Sequence, residues 1–301
     1  MIPPRTIVAP VDFSEPSRTA LATAARLALH TGAALHVIVA EHPLLAEAAR
    51  QAHIDLAADT AAELDRFIAA TAPAPSVAPR RHVATGDPVD VIVAVAQDVK
   101  ADLIVVGSHG MTGTARLVFG STTEGVLRRA PVPILVTPAA WSAVACTAND
   151  LLDTGPIVAA IDFSPESSAA AHAACGLASA LGTTVTLLHI VAAPAVHGRY
   201  QPHADALLRD RETEARSQLE SLRRTLPRSV HVTTIVTTGD VPAELAAAAE
   251  PSLCARPMLV LGRRPPGRRD GAPGAIAYRV LMLSRSPVLV HVATAAAPLR
   301  T

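Results

Sequence analysis

Residues 7–14 read IVAPVDFS and residues 157–164 read IVAAIDFS, so nearly the same stretch occurs twice at an offset of 150 residues. Three further pairs of blocks follow in the same order at offsets of 153 to 155 residues: HVATGD (82–87) with IVTTGD (235–240), LIVVG (103–107) with MLVLG (258–262), and VLRRAPVPILV (126–136) with VLMLSRSPVLV (280–290). Four matching blocks at nearly constant spacing indicate a duplicated domain. The length of 301 residues fits two domains, which we expect over 1–140 and 156–301, with a linker over 141–155.

Within the first half, β-branched apolar runs alternate with helical periodicity. The strand-like runs are Thr6–Val11, Ala34–Ala40, Arg80–Ala84, Asp102–Val106 and Ile134–Thr137, and the helical windows are Glu15–His30, Leu44–Thr71, Pro88–Val99 and Ser121–Arg129. Strands that are apolar almost throughout are typical of a parallel sheet covered on both faces. We therefore predict two repeated α/β domains, each an open, doubly wound sheet of five parallel strands, with ligands bound beyond the carboxyl ends of the strands.

The composition narrows the class of partner. Half of the residues are apolar but only 2% are aromatic, which predicts a core of Ala, Val, Ile and Leu. The 26 basic and 26 acidic residues balance, which argues against binding to nucleic acid or a membrane surface, because both need clustered positive charge. The uncharged stretches 130–149 and 167–197 are interrupted by proline or by glycine and threonine, so we expect no membrane span.

The three cysteines lie far apart and form no CxxC motif, which indicates neither a disulfide framework nor a zinc knuckle. A reducing compartment is the simplest interpretation. We therefore expect a cytoplasmic location.

A glycine-rich loop follows the fourth predicted strand. Gly107 and Gly110 are followed by nine residues and then by Gly120 and Ser121, a G-x2-G-x9-G-S pattern. Glycines let backbone N–H groups approach an anion, and the N-terminus of the next helix adds N–H groups and the positive end of its dipole. Together with the hydroxyls of Ser121 and Thr122, this pattern favours a phosphate group.

The same residues have a purely structural interpretation. Ser121 and Glu124 form the S-x-x-E pattern of a capping box, worth about 1 kcal/mol to the helix without any ligand. The role of Asp12 can likewise be structural, as a negative charge at the N-terminus of the following helix that needs no ligand. His109, between the motif glycines, can contact a phosphate or be an exposed loop residue.

The residues VDFS (11–14), the glycine pattern at 107–121 and VLRRAPVPILV (126–136) resemble the universal stress protein family. The resemblance covers nearly the whole chain twice, so it implies a tandem member with an adenine nucleotide alpha hydrolase-like fold. The glycine pattern is similar to that of the family's ATP-binding branch, and the resemblance therefore implies an adenine nucleotide (ATP, ADP or AMP) as cofactor.

Carried over by position, the resemblance assigns roles to individual residues. Asp12 and Ala40 would hold the adenosine, although the family usually has valine where this chain has Ala40. Pro10 and Val11 would line the pocket. The ribose and phosphates would contact residues of the glycine-rich loop and the next helix, namely Gly107, His109, Gly110, Gly120, Ser121 and Thr122.

The second half keeps Asp162 and Gly262 but departs in the loop. Counted from Gly262, Pro265 replaces the second glycine, and proline has no N–H to offer a phosphate. Aligned on the last strand instead, Gly274 matches Gly120, and then Ala275 and Ile276 replace the two hydroxyl residues. Four arginines crowd this loop and can form a partner contact or bind an anion: residues 263, 264, 268 and 269. We expect nucleotide in the first half only.

The sequence contains no HExxH, GxSxG or GxGxxG motif and no obvious acid–base pair of carboxylates. It therefore favours a nucleotide-responsive regulatory binding protein over an enzyme. Two alternatives stay open. One is a slow ATP hydrolase, which would need Mg²⁺, and the other is a protein-interaction module that binds no nucleotide.

Single-domain members of this family typically pair through the strand equivalent to Ile134–Thr137. An unpaired strand edge promotes association, so we predict that Pro133–Thr137 pairs with Pro287–Val292 inside one chain, as an internal pseudo-dimer. The first half expressed alone should then self-associate in size-exclusion chromatography with light scattering. A stable monomer would contradict this prediction, while higher assembly of the full chain would leave it intact.

Overall fold

The computed structural model describes residues 3–71, 78–108, 120–139, 141, 154–192, 201–251, 256–264 and 274–292. They form two compact units that divide between residues 153 and 154, here called the N-terminal and C-terminal units. Each is an α/β unit with a parallel sheet and helices, as the sequence predicts.

The N-terminal unit contains five strands and five helices among its described residues. In chain order they are β1 (Thr6–Pro10), α1 (Glu15–Thr31), β2 (Ala34–Glu41), α2 (Pro43–Gln51), α3 (Leu56–Thr71), β3 (Arg80–Thr85), α4 (Pro88–Asp98), β4 (Leu103–Gly107), α5 (Ser121–Arg129) and β5 (Ile134–Thr137). The strands lie in the order β3-β2-β1-β4-β5, and the four neighbouring pairs are all parallel. The chain therefore reverses its winding direction between β1 and β4, which is where doubly wound sheets bind ligands.

The C-terminal unit repeats this arrangement. Its described elements are β6 (Thr154–Ala160), α6 (Pro165–Leu181), β7 (Val185–Ala192), α7 (Gln201–Thr225), β8 (Val232–Gly239), α8 (Val241–Ala248), β9 (Arg256–Arg263), α9 (Ala275–Leu283) and β10 (Val288–Val292). The strand order is β10-β9-β6-β7-β8, again with parallel neighbours. β6 starts a few residues before the Ile157 repeat block, and α7 is the longest described helix.

The core is aliphatic in both units. The fully buried strand residues include Ile7, Ile104, Ile157 and Leu187. Alanines pack helices α1 and α6 closely against the sheets, because their small side chains allow a short separation between helix and strand. The predicted core of Ala, Val, Ile and Leu is therefore confirmed, with Trp141 and Phe67 as its buried aromatic residues within the described chain.

The predicted helix over Leu44–Thr71 is wrong as a single element, because it is two helices. His53 takes a left-handed backbone conformation with φ of 57°, and the N–H of Ile54 donates to the carbonyl of Ala49 at 2.9 Å. This is the Schellman ending of a helix, with histidine at the position that usually holds glycine. The carboxylate of Asp55 then accepts from the N–H of Ala58 at 3.1 Å and starts the next helix.

Two histidines join β2 to the edge strand β3. Nδ1 of His36 lies 2.8 Å from Nε2 of His82, and their rings stack with centroids 5.1 Å apart. His36 is buried, and burial lowers its pKa below the ordinary 6.5, with further lowering from His82 and Arg80. The pair is thus a pH-sensitive connection at the edge of the sheet.

We expect the N-terminal unit to lose stability as the pH falls through about 6.5. The unfolded histidine takes up a proton near that pH while the folded His36 resists it, so the unfolded state binds more protons. The contribution of neutral His36 to the free energy of unfolding is therefore fully present above this pH. It declines as the pH falls toward the lower pKa of His36 in the folded protein. Melting temperatures measured between pH 7.5 and 5 should depend less on pH in His36→Leu than in the natural protein. The exposed His231, changed to alanine, serves as control, and parallel curves for the natural protein and His36→Leu would contradict the assignment.

Candidate functional site

A cleft opens in the N-terminal unit where β1, β2 and β4 end and α5 begins. It has a volume of about 220 Å³. The residues that line it are Pro10, Val11, Asp12, Ser17, Ile38, Ala40, Pro88, Ile92, Val106, Gly107, Gly120, Ser121, Thr122 and Thr123. This is the carboxyl end of the sheet at its switch point, the position expected for a ligand.

Eight of the ten residues predicted for the site lie together around this cleft: Pro10, Val11, Asp12, Ala40, Gly107, Gly120, Ser121 and Thr122. The other two, His109 and Gly110, fall outside the described residues. Six lining residues were not predicted: Ser17, Ile38, Pro88, Ile92, Val106 and Thr123. For Ile38 a signal existed, because residues two apart on a strand share a face and Ala40 was already a candidate. Pro88 follows the TGD block and opens α4, so it too was within reach.

Asp12 forms the turn that connects β1 to α1. Its Oδ1 accepts from the N–H of Ser14 at 3.1 Å and from the Ser14 hydroxyl at 2.5 Å. Ser14 is in turn the N-cap of α1 and accepts from the N–H of Ser17. Between them Phe13 has φ of 64°, an uncommon conformation for a bulky residue that the surrounding bonds must hold in place. Asp12 therefore has a structural role in addition to its place on the cleft wall.

The ring of Phe13 links this turn to a distant helix. It packs edge-on against Phe67 of α3, with centroids 5.5 Å apart. The guanidinium of Arg18 lies 4.4 Å from the centroid of the same Phe67 ring, and it donates to the hydroxyl of Thr71 at 3.0 Å. The strained turn at the cleft is thus held against α1 and α3 together.

The capping-box interpretation of Ser121 is wrong. The N-cap of α5 is Gly120, which has no side chain to form a cap hydrogen bond, and Ser121 is the first helical residue. Glu124 instead accepts two bonds from Arg128 one turn later, at 2.7 and 3.2 Å. The first turn of α5, with the exposed Ser121, lies at the cleft. Because glycine has no side chain, the N-cap residue does not occupy the N–H groups of this turn.

Thr123, which the sequence analysis did not single out, anchors α5 to the sheet. Its buried hydroxyl donates to the carbonyl of Gly107 at 2.7 Å. The two ends of the glycine-rich loop also meet directly, because the N–H of Gly120 donates to the carbonyl of Ser108 at 3.2 Å. These bonds fix the start of α5 beside the end of β4.

Gly107 is required for a reason other than the one predicted. A Cβ on Gly107 would lie 2.8 Å from the carbonyl oxygen of Pro16, so the missing side chain makes room for α1. Gly262 stands in the same place in the C-terminal unit, where a Cβ would lie 2.5 Å from the carbonyl of Glu166. The close approach is therefore to a helix backbone, which explains why the second half keeps this glycine although Pro265, Ala275 and Ile276 replace other residues of the pattern.

The C-terminal unit has a matching cleft of about 470 Å³. Its wall includes Asp162, which holds the turn before α6 as Asp12 does before α1: Oδ1 accepts from the Ser164 N–H at 3.0 Å and from the Ser164 hydroxyl at 2.5 Å. Burial alone would raise the pKa of Asp162, but the hydrogen bonds from Ser164 and Ser167 outweigh it and lower the pKa below the ordinary 3.8. The carboxylate is therefore ionised at neutral pH.

The first turn of α9 carries the difference between the two clefts. α9 starts at Ala275 with Gly274 as N-cap, as α5 starts at Ser121 with Gly120, so the alignment anchored on the last strand is confirmed. Of the loop arginines, Arg263 and Arg264 do not line the cleft, and Arg264 pairs with Glu166 at 3.6 Å. Residues 268 and 269 lie outside the described residues.

Comparison with known proteins identifies the family. The model of the Universal stress protein family matches residues 4–138 and 154–291. The chain belongs to this family, as a tandem member. This confirms the resemblance that the repeated blocks carry and the duplication that they predict.

Several relatives of this universal stress protein match parts of it. A universal stress protein of Thermus aquaticus is 31% identical over 134 residues, which cover 44% of this chain and 97% of that protein. Universal stress protein MJ0577 of Methanocaldococcus jannaschii is 39% identical over 54 residues, 18% of this chain and 33% of the relative. With that relative and three others, the chain shares only about a third of the relative's length.

A solved structure that matches nearly the whole chain has the same fold. A universal stress protein from Archaeoglobus fulgidus superposes with a TM-score of 0.63 at 19% identity, covering 96% of this chain and 98% of that one. A universal stress protein crystallised in complex with cAMP is 30% identical, with a TM-score of 0.34, and covers 45% of this chain and 98% of its own.

Membrane-spanning helices and metal-binding clusters are both absent from the part of the chain that the structure describes. None of the helices within the described ranges is both long and apolar enough to cross a bilayer. Within the same ranges, no three His, Cys, Asp or Glu side chains are grouped so that they could hold a metal ion.

We predict that Gly107→Ala destabilises the protein in the absence of any nucleotide. The added methyl collides with the Pro16 carbonyl, and overpacking of this kind costs about 1–3 kcal/mol. Gly262→Ala should have the same effect through Glu166. Urea unfolding measures both, and Gly274→Ala is the control, since a Cβ there meets nothing within 4 Å. Unchanged stability of Gly107→Ala would contradict the steric explanation and leave the predicted phosphate contact as the reason for this glycine.

Proposed function

We propose that the N-terminal cleft of this universal stress protein binds an adenine nucleotide, and that its occupancy regulates a partner interaction in the cytoplasmic stress response. The observation that carries the proposal is the start of α5. There an uncapped helix N-terminus and the hydroxyls of Ser121 and Thr122 lie in one cleft with Asp12.

The phosphates are assigned to the α5 end of the cleft. Free N–H groups and the positive end of the helix dipole stabilise an anion there. The hydroxyls of Ser121 and Thr122 add donors, and hydrogen bonds to a charged group are stronger than those between neutral groups. Since Thr123 already donates to Gly107, its role in the proposal is to hold the helix in position.

The nucleoside is assigned to the strand ends. Pro10, Val11, Ile38 and Ala40 give this part of the cleft an apolar surface suited to a flat ring. When ionised, the Asp12 carboxylate accepts hydrogen bonds but cannot donate them, so it suits the hydroxyls of a ribose or the amino group of a base.

The decisive experiment is to denature the protein purified from cells and assay the released adenine nucleotide. Calorimetry with ATP, ADP, AMP and cAMP then gives the affinity and the number of sites, and cAMP is included because a solved family member carries it. We expect one nucleotide per chain. An ATP turnover assay with Mg²⁺ distinguishes regulated binding from slow hydrolysis. If none of the four ligands binds in calorimetry, the protein-interaction module is the remaining alternative.

Ser121→Ala should weaken nucleotide binding by about 1–2 kcal/mol, roughly 5- to 30-fold, through the loss of one hydrogen bond to a charged group. The free energy of unfolding should not change, because Gly120 and not Ser121 is the N-cap. Ser164→Ala is the matched control, since it removes the N-cap of α6. It should cost about 1 kcal/mol of stability and leave the nucleotide affinity intact. A Ser121→Ala protein of unchanged affinity would remove this hydroxyl from the site.

A further inference from the structure

The C-terminal cleft has the frame of the N-terminal one but a different wall. The strand register within each unit allows the residues of the two clefts to be matched. Ile7 pairs with Leu35 in β1–β2, and the equivalent Ile157 pairs with Val185 in β6–β7. Counting from those pairs puts Leu188 where the first cleft has Ile38, and Ile190 where it has Ala40. At the first turn of the bordering helix, three hydroxyl residues (Ser121, Thr122, Thr123) are replaced by three apolar ones (Ala275, Ile276, Ala277).

Apart from the Ser167 hydroxyl, which already donates to the carbonyl of Ser164 at 3.1 Å, the polar side chains described in this wall are acceptors. Among the described lining residues, Asp162 is the one charged side chain. Nδ1 of His189 lies 2.8 Å from the carbonyl of Ile161, which can only accept, so Nδ1 carries the proton. In the neutral ring Nε2 is then an acceptor too. The His189 ring packs on Phe163 at 4.5 Å between centroids, which fixes its place in the wall.

A phosphate gains less in this cleft than in the first. The first-turn N–H groups and the dipole of α9 correspond to those of α5, because both helices start after a glycine N-cap. At α9, however, no side-chain hydroxyl adds a donor, and the phosphate would lose water against Ala275 and Ile276, which is costly for a charged group. Ile276 is 52% exposed, so an apolar ligand surface that covers it would be favoured instead. The volume of about 470 Å³ lies within the usual range of small-molecule sites.

We infer that the C-terminal cleft binds an uncharged ring compound with hydroxyl or amino donors, of the nucleoside class, in preference to its phosphorylated form. The donors face Asp162 and His189, and the ring lies against the apolar wall formed by Leu188, Ile190 and Ile276. The choice of a purine as the ring rests on the proposed function of the first cleft, whereas the preference for the unphosphorylated compound rests on the second cleft alone.

The test compares adenosine with AMP on the full chain by calorimetry, since the two differ only in the phosphate. We expect two adenosine sites per chain and one AMP site. Asp162→Asn keeps an Oδ1 that can accept from Ser164 but removes the charge, so it should weaken one adenosine site at least tenfold and leave AMP binding unchanged. Asp12→Asn is the matched control in the other cleft and should spare that adenosine site.

A second pair of variants keeps the test independent of the turn. Ala275→Trp places a bulky side chain at the exposed start of α9 and should abolish the adenosine site of the C-terminal cleft. Ser121→Trp places the same side chain at the start of α5 and should abolish binding in the N-terminal cleft. Two AMP sites per chain, no adenosine binding, or adenosine binding insensitive to both Asp162→Asn and Ala275→Trp would overturn the inference. One adenosine site that is lost in these two variants, with no AMP bound, would support it while refuting the proposed function of the first cleft.

Discussion

Each unit depends on one close approach, between a glycine at the end of its fourth strand and the first turn of its first helix. In the N-terminal unit the carbonyl of Pro16 lies so near Gly107 that no side chain fits between them. This contact places the Asp12–Ser14 turn above the strand ends, and Thr123 then fastens α5 to the same glycine. The cleft is therefore a product of backbone packing, and it exists before any ligand is considered.

Because the frame is set by packing, the chemistry of the two clefts can diverge while their shape persists. Gly262 and Asp162 reproduce the contacts of Gly107 and Asp12. The divergence is concentrated in the first turn of α5 and α9. Of these positions only Thr123 is buried and bonded to the sheet, whereas Ser121 and Ala275 are exposed. A duplicated chain can thus present two sites of different selectivity on one scaffold.

The sequence was sufficient for the architecture and for most of the cleft. Repeated blocks of strand and turn residues identify the duplication, and strand ends in a parallel sheet meet at one edge, which is why Asp12, Ala40 and Gly107 could be placed together. The break between α2 and α3 was not predictable by the usual signal, because His53 and not glycine adopts the left-handed conformation. The capping box failed because Gly120 took the N-cap position that the S-x-x-E pattern assigns to Ser121. Thr123 was missed since its partner is a backbone carbonyl that lies sixteen residues away in the chain.

The two aromatic residues of the repeated DFS turns have different neighbours, and this gives the turns different mechanical connections. Phe13 packs against Phe67 of α3, a helix whose outer side faces solvent. Phe163 packs against His189, which is itself part of the cleft wall. The N-terminal turn is therefore in contact with a helix at the protein surface, whereas the C-terminal turn is in contact with the wall of its own cleft.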